Sequence, residues 1–175
     1  MDEHLDDELE IMSERSQSGR IEFSADVFDE PIKVLCKTPA ITVPRTTTIG
    51  EAVKLMQERK KGALLVVENS KLVGIFTERD FLKKVGVEAD KWKSRPVEDL
   101  MTPNPESLTL NDEVKFVINR MHVGGYRHVP IVNEQGEPLH LISLRDMLGF
   151  LLDHFPKLLT NISPRPARGG PPWGG

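Results

Sequence analysis

At 175 residues the chain has room for one ordinary domain or two small ones. Apolar residues at 38% and charged residues at 29%, with no apolar run near the roughly 20 residues of a membrane-spanning helix, describe a soluble protein and exclude a transmembrane one. The net charge of −4 is concentrated in residues 1–14, which hold seven acids and no Lys or Arg; elsewhere 23 basic residues face 20 acids, a net +3 too mild for a dedicated nucleic-acid binder.

The acidic head is the opposite of a secretory leader and no apolar segment follows it, so a cytoplasmic location is expected, with residues 1–24 as a disordered tail. His4 lies in this tail. The single Cys36 rules out an internal disulfide or a multi-cysteine zinc site. From there the chain repeats at an offset of 65: Cys36 falls on Met101, Val43 on Leu108, Met56 on Met121, and Leu64-Leu65-Val66-Val67 on Val129-Pro130-Ile131-Val132. The first copy is read as residues 25–85, the second as 99–162, with 86–98 as a linker that Trp92 packs onto the body.

In the first copy Ile49, Ala52, Val53 and Met56 have helical spacing, and Thr48-x-x-Glu51 reads as a capping box at the start. A hairpin follows, residues 63–67 and 71–77 around Glu68-Asn69-Ser70, and then a helix over 78–85. In the second copy Val114, Val117, Ile118 and Met121 repeat the same face, with Asn111, Asp112 and Glu113 as expected caps. Gly124-Gly125 reads as a helix stop, and a hairpin over 128–132 and 139–143 leads into a helix over 144–155. Each copy is thus strand, helix, strand, strand, helix. A unit of about 60 residues buries too little alone, so an α+β body with two sheets packed about an approximate two-fold axis is expected. The Pro/Gly-rich residues 163–175, with Trp173, form a second tail.

Two strings carry the chemistry. Gly74-Ile75-Phe76-Thr77-Glu78-Arg79-Asp80 and His140-Leu141-Ile142-Ser143-Leu144-Arg145-Asp146 share a hydroxyl, an Arg and an Asp where a strand becomes a helix. The pattern is a capping box. The same carboxylate is also an acceptor for the two hydroxyls of a ribose, beside a helix N-terminus that favours anions.

With Val97-Glu98-Asp99-Leu100-Met101-Thr102 and Tyr126-Arg127-His128-Val129-Pro130-Ile131-Val132, these strings make the chain resemble a tandem pair of cystathionine-beta-synthase (CBS) domains, a Bateman module. The resemblance implies a regulatory module, not an enzyme, that binds an adenosine-containing ligand (AMP, ADP or ATP, with NAD or S-adenosylmethionine possible) and signals by a change of shape or association. It implies ribose contacts at Asp80, Asp146, Thr77 and Ser143, phosphate contacts at Arg127, His128, Arg79 and Arg145, and adenine neighbours at Thr42, Ala63 and Ser107. His140 stands where the family has glycine, so Asp80 is the stronger expected acceptor. A homodimer and a downstream protein target are expected, and no membrane or nucleic-acid partner. The alternative is an interaction module that dimerises without nucleotide. Cys36 is read as a small buried hydrophobe, and His122 and His154 lack metal-ligand spacing.

Overall fold

A computed structural model describes residues 25–85 and 91–154. The two tails, including His4 and Trp173, and the first part of the expected linker lie outside the described residues. In chain order the regular elements are β1 (Thr42–Pro44), α1 (Ile49–Arg59), β2 (Ala63–Glu68), β3 (Lys71–Thr77), α2 (Glu78–Lys84), β4 (Thr102–Pro103), β5 (Leu108–Thr109), α3 (Val114–Val123), β6 (His128–Val132), β7 (Pro138–Ser143) and α4 (Leu144–His154). Short 3-10 turns occupy Ala25–Asp29, Ile32–Leu35, Lys91–Ser94 and Val97–Asp99.

The expected helical faces are the buried ones. In α1, Ile49, Ala52 and Met56 point into the core, and the capping box forms in full: Glu51 N–H donates to Thr48 Oγ1 at 3.3 Å while Thr48 N–H donates to Glu51 Oε2 at 3.0 Å. Those bonds from Thr48 hold the Glu51 carboxyl below the usual carboxylate range. The start of α3 differs from expectation. Its N-cap, Glu113, makes no side-chain cap, and Asp112 turns back to accept Thr109 N–H at 2.6 Å and Thr109 Oγ1–H at 3.0 Å. The first α3 amide finds a backbone partner instead, Val114 N–H donating to Glu30 O at 2.9 Å.

The two sheets run β1-β2-β3-β4 and β5-β6-β7, each with one parallel pair and one hairpin. Asn69 and Ser70 both have positive φ, as a two-residue primed turn requires, and Gly136 with φ 79° completes the longer second loop. Register shifts fall between Val66 and Val67 and between Ile131 and Val132, the same place in each copy. Alternation along β2 sends Leu64 and Val66 to the helices, while Ala63 and Leu65 meet Leu141 of the other sheet. That double burial is why residues 63–66 read as an unbroken apolar run.

Each core is completed by a segment at the start of the opposite copy. Val97 and Leu100 are buried with Val43, Ile49, Leu64 and Phe76, and Trp92 packs edge-on against Phe81 at 4.8 Å, so the described half of the expected linker is built into the first core. Ile32 and Leu35 are buried with Val114, Val117, Val129 and Ile131 of the second copy. The backbone bonds match one for one: Ile49 N–H to Arg95 O and Val97 N–H to Thr47 O on one side, Val114 N–H to Glu30 O and Ile32 N–H to Asp112 O on the other. Shifting the first pair by the repeat offset gives the second.

Candidate functional site

Both strand-to-helix strings fold as capping boxes. At the start of α2, Thr77 N–H and Oγ1–H donate to Asp80 Oδ2 at 3.1 and 2.7 Å, and Asp80 N–H donates to Thr77 Oγ1 at 3.1 Å. At the start of α4, Ser143 N–H and Oγ–H donate to Asp146 Oδ2 at 2.8 and 2.6 Å, and Asp146 N–H donates to Ser143 Oγ at 3.3 Å. Each carboxylate is therefore fixed through Oδ2, and what it can do for a ligand is decided at Oδ1.

There the copies part. Asp80 Oδ1 already accepts Thr102 Oγ1–H at 3.1 Å and the Lys84 ammonium at 3.1 Å, and its side chain is only 13% exposed. Asp146 is exposed, and among the described residues Oδ1 has no hydrogen-bond or ion-pair partner. The family resemblance favours Asp80; the geometry leaves Asp146, among the described residues, as the carboxylate with a free oxygen.

Asp146 lines a cleft of about 700 Å³ between the copies. One wall is Thr38, Pro39, Ala40 and Ile41 ahead of β1, another the α1 to β2 turn Lys60, Lys61, Gly62 with Ala63, and a third Arg127, His128, Leu141, Ser143, Leu144 and Arg145. Val53, Met56, Gln57, Glu78, Phe81 and Leu82 close it. A smaller outer recess holds Arg79 with Glu78, Leu82, Lys83 and Arg127. Of the residues singled out from the sequence, Ala63, Arg127, His128, Ser143, Arg145 and Asp146 thus meet in the cleft and Arg79 stands at its edge. Thr42 on β1 and Ser107 before β5 are exposed outside it, and Thr77 and Asp80 do not line it. His140 does not narrow the cleft. Its Nδ1 bonds the Thr38 carbonyl at 2.9 Å, which requires the Nδ1–H form, and holds the wall segment to β7 together with Ala40 N–H to Leu139 O at 2.9 Å.

Lys60, Lys61 and the segment 38–41 were not among the sequence candidates. Lys60 caps α1 with φ 51°, and its signal was the Lys-Lys-Gly that ends the first apolar-periodic helix. With Arg127 and Arg145 these lysines outnumber the acids Glu78 and Asp146 in the cleft, so it favours an anion. His128 is held below its ordinary range, first by burial and then by the charge of Arg127, and so presents a neutral ring. Burial, with the charge of Asp146 behind it, pushes the Cys36 thiol up to about 11, so Cys36 stays protonated and inert, its Sγ donating to Ile32 O at 3.6 Å. Among the described residues no group of three or more His, Cys, Asp or Glu could hold a metal ion, and no helix is long and apolar enough to cross a membrane.

Two copies of one small α+β unit, packed around a ligand-sized cleft, define a tandem-repeat module by their architecture. The chain belongs to the CBS domain family, whose model matches residues 32–86 and 97–153. It is 33% identical over 123 residues to an uncharacterized 17.7 kDa protein of Acidianus ambivalens, covering 70% of this chain and 73% of that one. It spans only 18% of the length of the Arabidopsis thaliana CBS domain-containing protein CBSCBSPB5, at 34% identity over 56% of its own length. Among solved structures it resembles the CBS-domain protein ATU1752 of Agrobacterium tumefaciens (TM-score 0.61, 28% identity, 69% of this chain and 98% of that one). It also resembles PAE2072 of Pyrobaculum aerophilum, solved with AMP (TM-score 0.63, 25% identity, 71% and 97%).

Proposed function

We propose that the protein is a non-catalytic CBS-pair sensor that binds an adenosine-containing nucleotide in the cleft beside Asp146 and passes the signal on by a change of conformation or association. The observation that carries this reading is the free Oδ1 of Asp146 in a cleft of about 700 Å³ whose other polar groups include Lys60, Lys61, Arg127 and Arg145. Oδ1 suits a ribose hydroxyl, the cations suit a phosphate, and Ala40, Ile41, Ala63 and Leu141 offer apolar surface for a base. The AMP bound by PAE2072 supports the same ligand class. A ligand that prefers one arrangement of the two copies shifts the population by its differential affinity.

The test is a thermal-shift and calorimetric panel of AMP, ADP, ATP, NADH, S-adenosylmethionine and adenosine. A nucleotide that binds only the folded state stabilises it by about 2.7 kcal/mol at a hundredfold excess over Kd. Arg127→Ala should weaken nucleotides well beyond its effect on adenosine, because it removes a phosphate partner and spares the ribose contact. A panel with no binding at all would leave the dimerising interaction module as the better account.

The reading includes self-association. Leu82 on α2 is 78% exposed and Leu148 on α4 is 55% exposed, with Leu144 beside it. Such faces suit a two-fold partner of the same kind. Light scattering should give a dimer at micromolar concentration and a monomer for Leu148→Glu; a monomeric parent protein would remove this part of the proposal. The free nucleotide ligand fits the cytoplasmic location expected from the sequence.

A further inference from the structure

The repeat predicts a second cleft beside Asp80, and the residues around that carboxylate are arranged differently from those around Asp146. A Cβ placed on Gly74 would collide with the Met101 side chain, so Met101 lies directly on the bare backbone of β3. Its neighbours Thr102 and Pro103 continue the sheet as β4, paired with Ile75 and Gly74. On the other side His140 stands at the place of Gly74 and Cys36 at that of Met101, and the sheet contact shrinks to the single bridge Pro39 to His140.

Lys84, at the last position of α2, reaches back over this region. Its ammonium bonds the Leu100 carbonyl at 2.7 Å, the Met101 carbonyl at 3.2 Å and Asp80 Oδ1 at 3.1 Å, which uses all three of its donors. The residue at the matching position of α4 is Phe150, buried in the second core, so that position offers Asp146 no ammonium. Thr102 Oγ1–H gives Asp80 Oδ1 the kind of hydroxyl bond a ribose would give, whereas its counterpart Lys37 pairs with Asp153 on the surface.

We infer that Lys84, Met101 and Thr102 form an internal plug that stands in for a ligand at the Asp80 site, so that the protein takes one nucleotide per chain and carries a second, latent site that opens when the plug is removed. The inference rests on the nucleotide reading above only for the class of probe. The two sites then differ in kind: one is governed by ligand concentration, the other by whether the chain's own side chains leave.

Calorimetric titration with ATP and with AMP of the full chain and of Lys84→Ala/Met101→Ala tests it. The expected result is one binding event per chain in the parent, kept in Asp80→Ala and lost in Asp146→Ala, and two events in the double variant, the added one disappearing when Asp80→Ala is included. Two events in the parent, one of them lost with Asp80→Ala, would overturn the plug, as would a folded double variant that gains none. If the parent binds nothing while the double variant gains an Asp80-dependent event, the plug stands and the Asp146 reading falls. If neither binds either probe, both fall. Should the double variant not fold, Lys84→Ala alone, at a partly exposed helix end, must show the added Asp80-dependent event at higher ligand concentration, and its absence there would overturn the inference.

Discussion

Ile32→Ala should cost the protein about 2–5 kcal/mol, the range for deleting a buried aliphatic side chain, although Ile32 precedes the first strand by ten residues. The side chain is fully buried, and its neighbours are Val114, Val117, Val129 and Ile131 of the second copy. Its amide also donates to Asp112 O at 2.8 Å, so the segment is pinned by backbone as well as by packing. Collapse around the void would have to drag the segment, and Glu30 O with it, away from the first amide of α3. Urea denaturation measures the cost. Val34→Ala, at a position 37% exposed in the same turn, is the control and should lie within about 0.5 kcal/mol of the parent. Equal small losses in both variants would mean that the segment is an ornament and not part of the second core.

The other large effect concerns binding. Asp146→Ala should raise the Kd of an adenine nucleotide about ten- to hundredfold, the loss of a charge-assisted bond of roughly 1.5–3 kcal/mol that becomes desolvated under the ligand. Asp80→Ala should leave Kd within about twofold, since Thr102 and Lys84 already occupy its second oxygen. Both substitutions also remove a capping box, which costs about 1 kcal/mol of stability. Kd, and not the melting temperature, must therefore be compared. Asp146→Asn keeps an oxygen for the cap and removes the charge, and should still lose most of the affinity. Comparable losses at Asp80 and Asp146 would sink the assignment of the open site.

Much of this architecture is written in local periodicity. The spacing of Ile49, Ala52, Val53 and Met56, repeated by Val114, Val117, Ile118 and Met121, fixes two helices and their buried faces, and the hairpins follow from the apolar runs and turn residues between them. The capping boxes at Thr77 and Ser143 were legible for the same reason: their partners are three residues away. What periodicity does not carry is which copy a segment packs against. Residues 30–35 and 95–100 correspond to each other in the repeat, but correspondence does not say that each completes the opposite core. Nor does it show the occupancy of Asp80. Thr102 lies 22 residues further on, beside the Met101 that the bare backbone of Gly74 lets onto the sheet. The contact of His140 is equally hidden in the sequence, since a side chain beside a cleft can turn to a backbone carbonyl, as its Nδ1 does to Thr38 O, instead of filling the cleft.

The crossed segments also set the order in which a growing chain can finish folding. When the ribosome has made β3 and α2, the first core still lacks Val97 and Leu100, so that half emerges with an unsealed apolar face. The piece that will seal the second half, Ile32 and Leu35, was made first and waits, uncovered, until α3 and β6 appear. Neither half can therefore be finished in its own stretch of synthesis. A gene cut between the two copies would yield two fragments, each holding the other's closing piece, and co-expression, not either fragment alone, is the route by which such halves would regain structure.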